Sequence, residues 1–148
     1  MKKILMVVLS FVTLFSMNMS MAHAQKETLE EKSVAFRQGV FQSLSWKMGQ
    51  LGMAQAAGEA QAFKKHAADL AYLTSLITEG FIPNSLVGES HAMPSVWDDA
   101  AGFVEAAQKM RAMANEIASE DYDMTTFDAR RFGREGCGGC HKNFKERD

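Results

Sequence analysis

The chain has 148 residues, of which 47% are hydrophobic and 23% are charged, with two prolines and two cysteines. This composition is typical of one folded domain, and it excludes a disordered chain, a collagen-like chain and a disulfide-rich scaffold. The formal charge of −2 gives no basic surface of the kind that nucleic acid requires, so no nucleic-acid partner is expected.

The N-terminus has the pattern of a cleaved export signal. Lys2 and Lys3 give a positive start, an apolar run follows at residues 4–16, and Ala22-His23-Ala24 carries small residues where a signal peptidase cuts. The apolar run is shorter than the roughly 20 residues that a membrane-spanning helix needs. We therefore predict a signal peptide at 1–24 and a mature domain at 25–148, which is exported to the periplasm and is not held in a membrane after cleavage.

The spacing of apolar residues predicts an all-α fold for the mature chain. Apolar residues recur three and four positions apart, as they do on the buried face of an amphipathic helix, and no strand-like alternation interrupts them. Ser95 is expected to cap the third helix, with Asp98 and Asp99 near the positive end of its dipole. Four helices joined by short links fit an antiparallel four-helix bundle. Their predicted ranges are 28–51, 58–78, 95–119 and 125–147.

Arg37 interrupts the apolar face of the first helix. The three-and-four spacing that links Val34 to Phe41 passes through Arg37, so its guanidinium would point toward the core. The side chain could bend outward to reach solvent near the helix end. Alternatively, it could stay buried beside an anion, such as a carboxylate of a bound ligand. From the helical spacing alone, both interpretations stay open.

The last predicted helix carries the motif Cys137-Gly138-Gly139-Cys140-His141, which has the C-x-x-C-H spacing of a c-type haem attachment site. Cysteines three positions apart share one helix face, so each thiol can form a thioether with one haem vinyl group. His141 comes next on that face, where its imidazole can bind the iron. The motif predicts one covalently attached haem c per chain, held by Cys137 and Cys140, with His141 as the axial ligand.

Three other kinds of site use similar residues. A disulfide between the two cysteines would close a very short loop and would stabilise the domain little. A thioredoxin-type redox pair requires a strand that leads into the helix, and the sequence pattern predicts no strand. A zinc site would need two further ligands, for which the mature chain offers only three histidines. Haem attachment is the interpretation that best fits the adjacent histidine and the export signal.

Three segments of the mature chain form a recognisable pattern: FRQGVF at 36–41, PSVWDDAAGF at 94–103 and CGGCHKNFK at 137–145. Through them the chain resembles the cytochrome c prime family over nearly all of 25–148. The resemblance implies that Arg37 and Gln38 lie beside the haem propionates and that Phe41 lies on the distal side of the iron. It places Lys145 close to the proximal histidine and implies a homodimer formed through the first helix.

A distal phenylalanine decides between the possible functions. Phe41 has no lone pair to give to iron, so the resemblance and the chemistry together imply five-coordinate, high-spin iron with an apolar distal face. The first hypothesis is a periplasmic haem protein that binds nitric oxide or carbon monoxide. The second hypothesis is an electron carrier that works with periplasmic redox proteins. An alternative version of this hypothesis has six-coordinate, low-spin iron. No distal acid–base pair is visible, so an enzyme is not predicted.

Overall fold

The computed structural model describes residues 26–147. The predicted signal peptide at 1–24 lies outside the described residues, so its cleavage stays a prediction. The described part is helical, and its β structure is limited to one isolated antiparallel bridge between Ala92 and Lys145. Within this part, none of the helices combines the length and apolarity that crossing a membrane demands. The prediction of an all-α fold is confirmed.

The first two helices, α1 (Leu29–Ala57) and α2 (Ala60–Ser75), pack against each other along their length. α1 begins with a capping box, in which the Glu31 backbone N–H donates to the Thr28 hydroxyl at 3.1 Å and the Thr28 backbone N–H donates to the Glu31 carboxylate at 2.8 Å. The predicted end at residue 51 is wrong. The helix continues until Gly58, whose left-handed conformation, φ 70°, stops it and turns the chain.

The predicted third helix is divided at Asp99 into α3 (Ser95–Asp98) and α4 (Ala100–Ile117). Asp99 has φ −122° and ψ 58°, and its carboxylate accepts a hydrogen bond from the Gly102 backbone N–H at 3.1 Å. Asp99 is therefore the cap of α4. The prediction of Ser95 as the cap is wrong, because the Ser95 hydroxyl instead donates to the Asn143 carbonyl at 2.6 Å.

The predicted fourth helix is a composite of short helical segments. Its main part, the composite helix at 129–144, begins where the Asp128 carboxylate accepts from the Arg131 backbone N–H at 2.9 Å. A π-helical turn within it shifts the phase of the side chains just before the second cysteine, and such turns often occur at functional sites. The segments are a 3₁₀ turn at Met124–Thr126, α5 at Ala129–Phe132, the π turn at Gly133–Cys137 and α6 at Gly138–Phe144.

Four helical directions make the bundle: α1, α2, α4 and the composite helix. α1 packs mainly on α2, α2 packs on α4, and α4 packs on the composite helix. The bundle core between them is apolar, as the spacing predicts, whereas Val104 of α4 is 39% exposed although apolar residues three and four positions apart would place it on the buried face. The most deeply buried large side chains are Leu51, Phe63, Leu70 and Phe132.

Candidate cofactor site

The cysteines and the histidine of the motif border two adjoining cavities between α1 and the composite helix. Cys137 and Cys140 are half-buried and are not joined to each other. The imidazole of His141 faces the ring of Phe41 on α1, with ring centroids 6.3 Å apart and ring planes at 71°. The two cavities meet at Phe41, Cys140 and His141. The structure thus brings the three motif residues and Phe41 around one site.

One cavity, the apolar chamber, has a volume of about 440 Å³ and contains both cysteines. The π turn contributes Gly133 to its wall. Apart from Ser45 and His141, the residues that line it are apolar or are the cysteines themselves. The side chains around the two thiols belong to Leu44, Met48, Ile77 and Met110.

The other cavity, the polar chamber, has a volume of about 400 Å³ and lies on the opposite side of the contact between Phe41 and His141. Aromatic rings form its floor, including those of Phe81 and Phe103, whose centroids are 4.7 Å apart. None of the described residues that line either chamber is acidic. The polar side chains that line the polar chamber are Arg37, Gln38, Gln42, Ser90, His91, His141 and Lys145.

The two chambers fit the two edges of a haem. Haem has an apolar edge that carries vinyl groups and an opposite edge that carries two propionate carboxylates. The thiols that would bond to the vinyl groups lie in the apolar chamber, and the cationic and amide side chains that suit carboxylates lie in the polar chamber. Each chamber is within the size range of cofactor pockets, about 300–1,000 Å³. His141 stands at their boundary, where an iron ligand is needed.

The protonation states of the motif residues also fit haem attachment. Burial raises the pKa of the Cys137 thiol, and burial together with the neighbouring Cys137 raises the pKa of Cys140 to about 11. Both thiols are therefore protonated at neutral pH, unlike the thiolates of redox pairs or zinc sites. Burial, helped by the positive charge of Lys145, lowers the pKa of His141. Its imidazole is thus neutral near pH 7, as metal binding requires.

The other interpretations of the cysteine pair find little support in the described residues. The motif is preceded by the π turn rather than by a strand. In residues 26–147, no group of three or more His, Cys, Asp or Glu side chains is arranged to hold a metal ion. The zinc interpretation therefore lacks its further ligands in that part of the chain.

Arg37 is buried, with 4% of its surface exposed, so the interpretation that it reaches solvent is wrong. Its Nη1 donates to the Gly80 carbonyl and to the Ser85 hydroxyl, each at 2.9 Å. Its Nη2 donates to the Ser85 carbonyl at 2.7 Å and to the Ser90 hydroxyl at 2.6 Å. The guanidinium also lies over the Phe81 ring, 4.8 Å from its centroid. The partners of Arg37 are thus in the loop between α2 and α3, which no helical period could have indicated.

The remaining predicted site residues border the polar chamber. Gln38 donates from its amide to the Glu89 carbonyl at 2.8 Å. Lys145 lines the chamber and is joined through its backbone to the Ala92 bridge. Gln42, which was not predicted, also lines the chamber; it lies four positions after Gln38 and therefore on the same helix face. His91, which was not predicted as a site residue either, reaches the chamber from the loop.

Known proteins resemble this chain in both sequence and structure. A family model described as Cytochrome C' matches residues 32–145. The cytochrome c' of Halomonas halodenitrificans is 33% identical over 127 residues, which cover 78% of this chain and 96% of that protein. The crystal structure of cytochrome c' from Rubrivivax gelatinosus matches with a TM-score of 0.66 and 27% identity, covering 79% of this chain and 97% of that one. This match confirms the predicted four-helix bundle.

A further solved structure shares the fold at lower sequence identity. It is the ferrous cytochrome c prime of Alcaligenes xylosoxidans with bound nitric oxide, in a variant form. The TM-score is 0.67 and the identity 23%, and the match covers 82% of this chain and all of that one, 100%.

Proposed function

The chain belongs to the cytochrome c prime family, whose members carry covalently bound haem c, and we propose that it is an exported haem protein with an open iron face that binds small diatomic gases and exchanges electrons. The proposal depends mainly on one observation: a phenylalanine ring, Phe41, faces the predicted axial ligand, His141, at a centroid distance of 6.3 Å. When bound, the haem supplies an iron atom that can take up a diatomic gas or change its oxidation state.

The motif residues hold the cofactor in this proposal. The thiols of Cys137 and Cys140 would each hold the haem through one thioether, in which an S–H bond and the π bond of one vinyl group give one S–C and one C–H bond while the C–C single bond remains. His141 follows on the same helix and binds the iron through its neutral imidazole. Attachment at three successive points of one helix fixes the cofactor against the composite helix.

Phe41 excludes other ligands from the distal face. Its ring has no lone pair, and its edge-on contact with Phe81, with centroids 6.3 Å apart, supports it from the loop side. Water gains little in an apolar space that offers it few hydrogen bonds. Nitric oxide and carbon monoxide are small and need no hydrogen-bond donor, so they suit this face. The structure of the Alcaligenes xylosoxidans protein with nitric oxide supports the idea that the fold can hold a gas-binding haem.

The polar chamber receives the propionates in this proposal. Arg37, Gln38 and Lys145 line it, and two of the three are cationic. Positive charge near a carboxylate favours its ionised form, so these residues keep the propionates charged. The haem edge there faces the loop and the C-terminal segment, where an electron can pass to or from a periplasmic redox protein.

A second candidate function is supported by Met48. Its side chain lines the apolar chamber together with both cysteines, and a thioether can serve as a sixth iron ligand. The iron would then be low-spin and closed to gases, as in an ordinary electron carrier. Met48 lies two helical turns, about 10 Å, beyond Phe41 along α1, so this arrangement would require Phe41 to give up its place opposite His141.

Optical spectra of the haem-loaded protein in its ferric and ferrous states test the proposal. We expect high-spin spectra in both states and a clear spectral change when carbon monoxide is added to the ferrous form. The variant Met48→Leu should leave the spectra unchanged. Low-spin spectra in both states would overturn the open-face proposal, and conversion of such spectra to high-spin by Met48→Leu would establish the second candidate.

We also propose that two copies associate through α1. Phe36 and Trp46 are large apolar side chains of this helix that are 42% and 67% exposed, and apolar surface on one element can mark a site of association. Sedimentation of the wild-type protein should give the mass of a dimer, and Trp46→Glu should shift it toward the monomer. A wild-type protein that sediments as a monomer at high concentration would contradict this assignment.

A further inference from the structure

We propose that Arg37 is a positioning residue that fixes the loop at 80–91 against α1, and that it acts on the haem through this loop rather than by a direct bidentate contact with a propionate. The inference deepens the proposed function and rests on it, since it assumes that haem occupies the two chambers. A position on the propionate side of the site does not by itself imply this structural role for Arg37.

The hydrogen bonds of Arg37 leave little for a ligand. A guanidinium has five N–H donors, four of them on the two Nη atoms. The structure gives each Nη atom two acceptors, and all four acceptors belong to Gly80, Ser85 and Ser90 of the loop. Bidentate recognition of a carboxylate uses two parallel N–H bonds from one guanidinium. With the four terminal donors engaged, Arg37 cannot offer such a pair without releasing the loop.

The loop and α1 are shaped for this contact. A Cβ atom placed on Gly80 would lie 2.6 Å from the Arg37 Cβ, so only glycine allows the two backbones to approach this closely. The Ser33 hydroxyl, one turn before Arg37, donates to the same Gly80 carbonyl at 2.7 Å. Ser85, which accepts from Arg37 through both its hydroxyl and its carbonyl, is completely buried at 0% exposure. The contact between Arg37 and the loop is therefore part of the buried interior of the protein.

The loop carries one wall of the polar chamber. Phe81, Ser90 and His91 line that chamber, and the Phe81 ring contacts Phe41. Beyond His91 the chain is held by the C-terminal segment, since the Glu146 backbone N–H donates to the His91 carbonyl at 2.9 Å. The wall is thus attached at two ends, and Arg37 provides four hydrogen bonds of its attachment to α1, beside one each from Ser33 and Gln38. Its loss should loosen the wall and, through Phe81, the ring of Phe41.

Besides attaching the loop, Arg37 contributes a positive charge, and the effect of this charge can be tested separately from the loop attachment. Its four acceptors are neutral oxygens, and no ion pair in the described residues 26–147 includes it. A buried cation without an anion favours an anionic ligand nearby. Lysine keeps this positive charge but has a single nitrogen with three donors, so it cannot reproduce four bonds from two nitrogen atoms. Arg37→Lys therefore removes the loop attachment while it preserves the charge.

The test compares Arg37→Lys and Ser85→Ala with a matched control in the haem-loaded protein. Ser85 lines neither chamber, so Ser85→Ala weakens the loop attachment without touching the haem site, and it also removes the bond from the Ser85 hydroxyl to the Ile82 carbonyl at 2.7 Å. Ser43→Ala is the control, because that hydroxyl, also on α1, donates only to the Gly39 carbonyl of its own helix at 2.8 Å. The readouts are backbone hydrogen exchange at 80–91 and the rate of carbon monoxide binding.

We expect both Arg37→Lys and Ser85→Ala to speed hydrogen exchange at 80–91 by about tenfold or more, as the loss of a buried hydrogen bond to a charged group implies, and to change the rate of carbon monoxide binding in the same direction. Ser43→Ala should match the wild type. Wild-type exchange and gas binding in Ser85→Ala, together with altered gas binding in Arg37→Lys, would overturn the inference in favour of direct ligand contact.

Two features keep the test decisive. If Arg37→Lys does not fold with haem, Ser85→Ala still decides the matter, since wild-type exchange at 80–91 in that variant would overturn the inference. If the wild type binds no carbon monoxide, the proposed function fails, but the exchange measurement still reports on the loop. The two failures are therefore distinguishable.

Discussion

Phe41 is the residue on which access to the iron depends in the proposed function. Its ring contacts His141 across the boundary of the chambers and Phe81 from the loop. Phe81 contacts Phe103, which contacts Phe144, with ring centroids 4.7 Å and 5.4 Å apart. Edge-to-face contacts of this kind stabilise each ring in place. The distal ring is thus held by an aromatic cluster that reaches across the bundle.

Replacing Phe41 with alanine should open the distal face. The ring would no longer have to move before a gas approaches, and a barrier lowered by about 1.4 kcal/mol gives a tenfold faster reaction. We expect carbon monoxide binding to the ferrous protein to become about tenfold faster. Stopped-flow mixing measures this rate. Met53→Ala is the control, because Met53 lies on the same helix and is 59% exposed. Unchanged kinetics in Phe41→Ala would show that the ring does not limit entry.

Gly80 should tolerate no side chain. In Gly80→Ala the new methyl group would meet the Arg37 Cβ at 2.6 Å, and overpacking of this kind costs about 1–3 kcal/mol. We expect a lower free energy of unfolding, measured by urea titration. Gly49→Ala is the matched control, since Gly49 lies inside α1 with nothing within 4 Å, and alanine there should raise stability by about 0.5–1 kcal/mol. Equal stability of both variants would contradict the close approach at Gly80.

At the scale of the helices, the sequence predicted the elements that depend on interactions between residues close together in the chain. The apolar period located α1, α2, α4 and the composite helix, and the cysteine spacing located the motif within the last of them. The division at Asp99 and the π turn were not predictable, because they depend on distant contacts. Ser95 bonds to Asn143, and a Cβ atom placed on Gly136 of the π turn would lie 3.5 Å from the Met110 side chain of α4. The loop bonds of Arg37 join residues 43 to 53 positions apart, which a helical period does not report.

An ion-pair cluster joins α1 to α2 outside the haem site. Lys47 on α1 and Lys65 on α2 contact the Asp69 carboxylate at 2.6 Å and 2.9 Å, and hydrogen bonds from Lys47 and then Lys65 lower the pKa of Asp69 below its ordinary value of 3.8. A lowered carboxylate pKa stabilises the folded state above the ordinary value, and this contribution is lost as the pH falls through the folded-state value. The Asp69 side chain is 37% exposed, so solvent screens the pair.

Asp69→Asn should therefore destabilise the protein modestly and in a pH-dependent way. We expect a loss of at most about 1 kcal/mol in the free energy of unfolding at pH 7. The difference from wild type should shrink as the pH falls below the ordinary aspartate value. Urea titrations at several pH values measure this. Asp121→Asn, at an exposed turn position, is the control. A difference that persists undiminished in strong acid would contradict an electrostatic origin.

At the scale of the whole molecule, the haem that we propose would complete the core. Residues of α1 and of the composite helix line both chambers, so a haem that filled them would give both helices apolar contact. The composite helix is also weak by composition. Each of its glycines costs about 1 kcal/mol relative to alanine in a helix interior. They are Gly133, Gly136, Gly138 and Gly139.

The haem-free chain should consequently fold poorly. In the double variant Cys137→Ala/Cys140→Ala we expect less helical signal by circular dichroism than in the haem-loaded wild type, and a broad thermal transition at a lower temperature. The haem-loaded single variant Gly139→Ala is a useful comparison, because nothing lies within 4 Å of that position and the added methyl should strengthen the helix. A cooperative, fully helical haem-free variant would refute the dependence on haem.

The separation of the two chambers has a stereochemical consequence. A haem could in principle be rotated in its own plane, or turned over so that its other face meets His141. A cationic chamber on one side and the thiols on the other remove the in-plane rotations, because each would bring a carboxylate to the apolar side. Polarity alone does not distinguish the two faces, since turning the haem over merely exchanges its vinyl groups between Cys137 and Cys140. The handedness of attachment would thus be decided at the sulfur atoms, whereas the two chambers decide the direction in which the propionates would point.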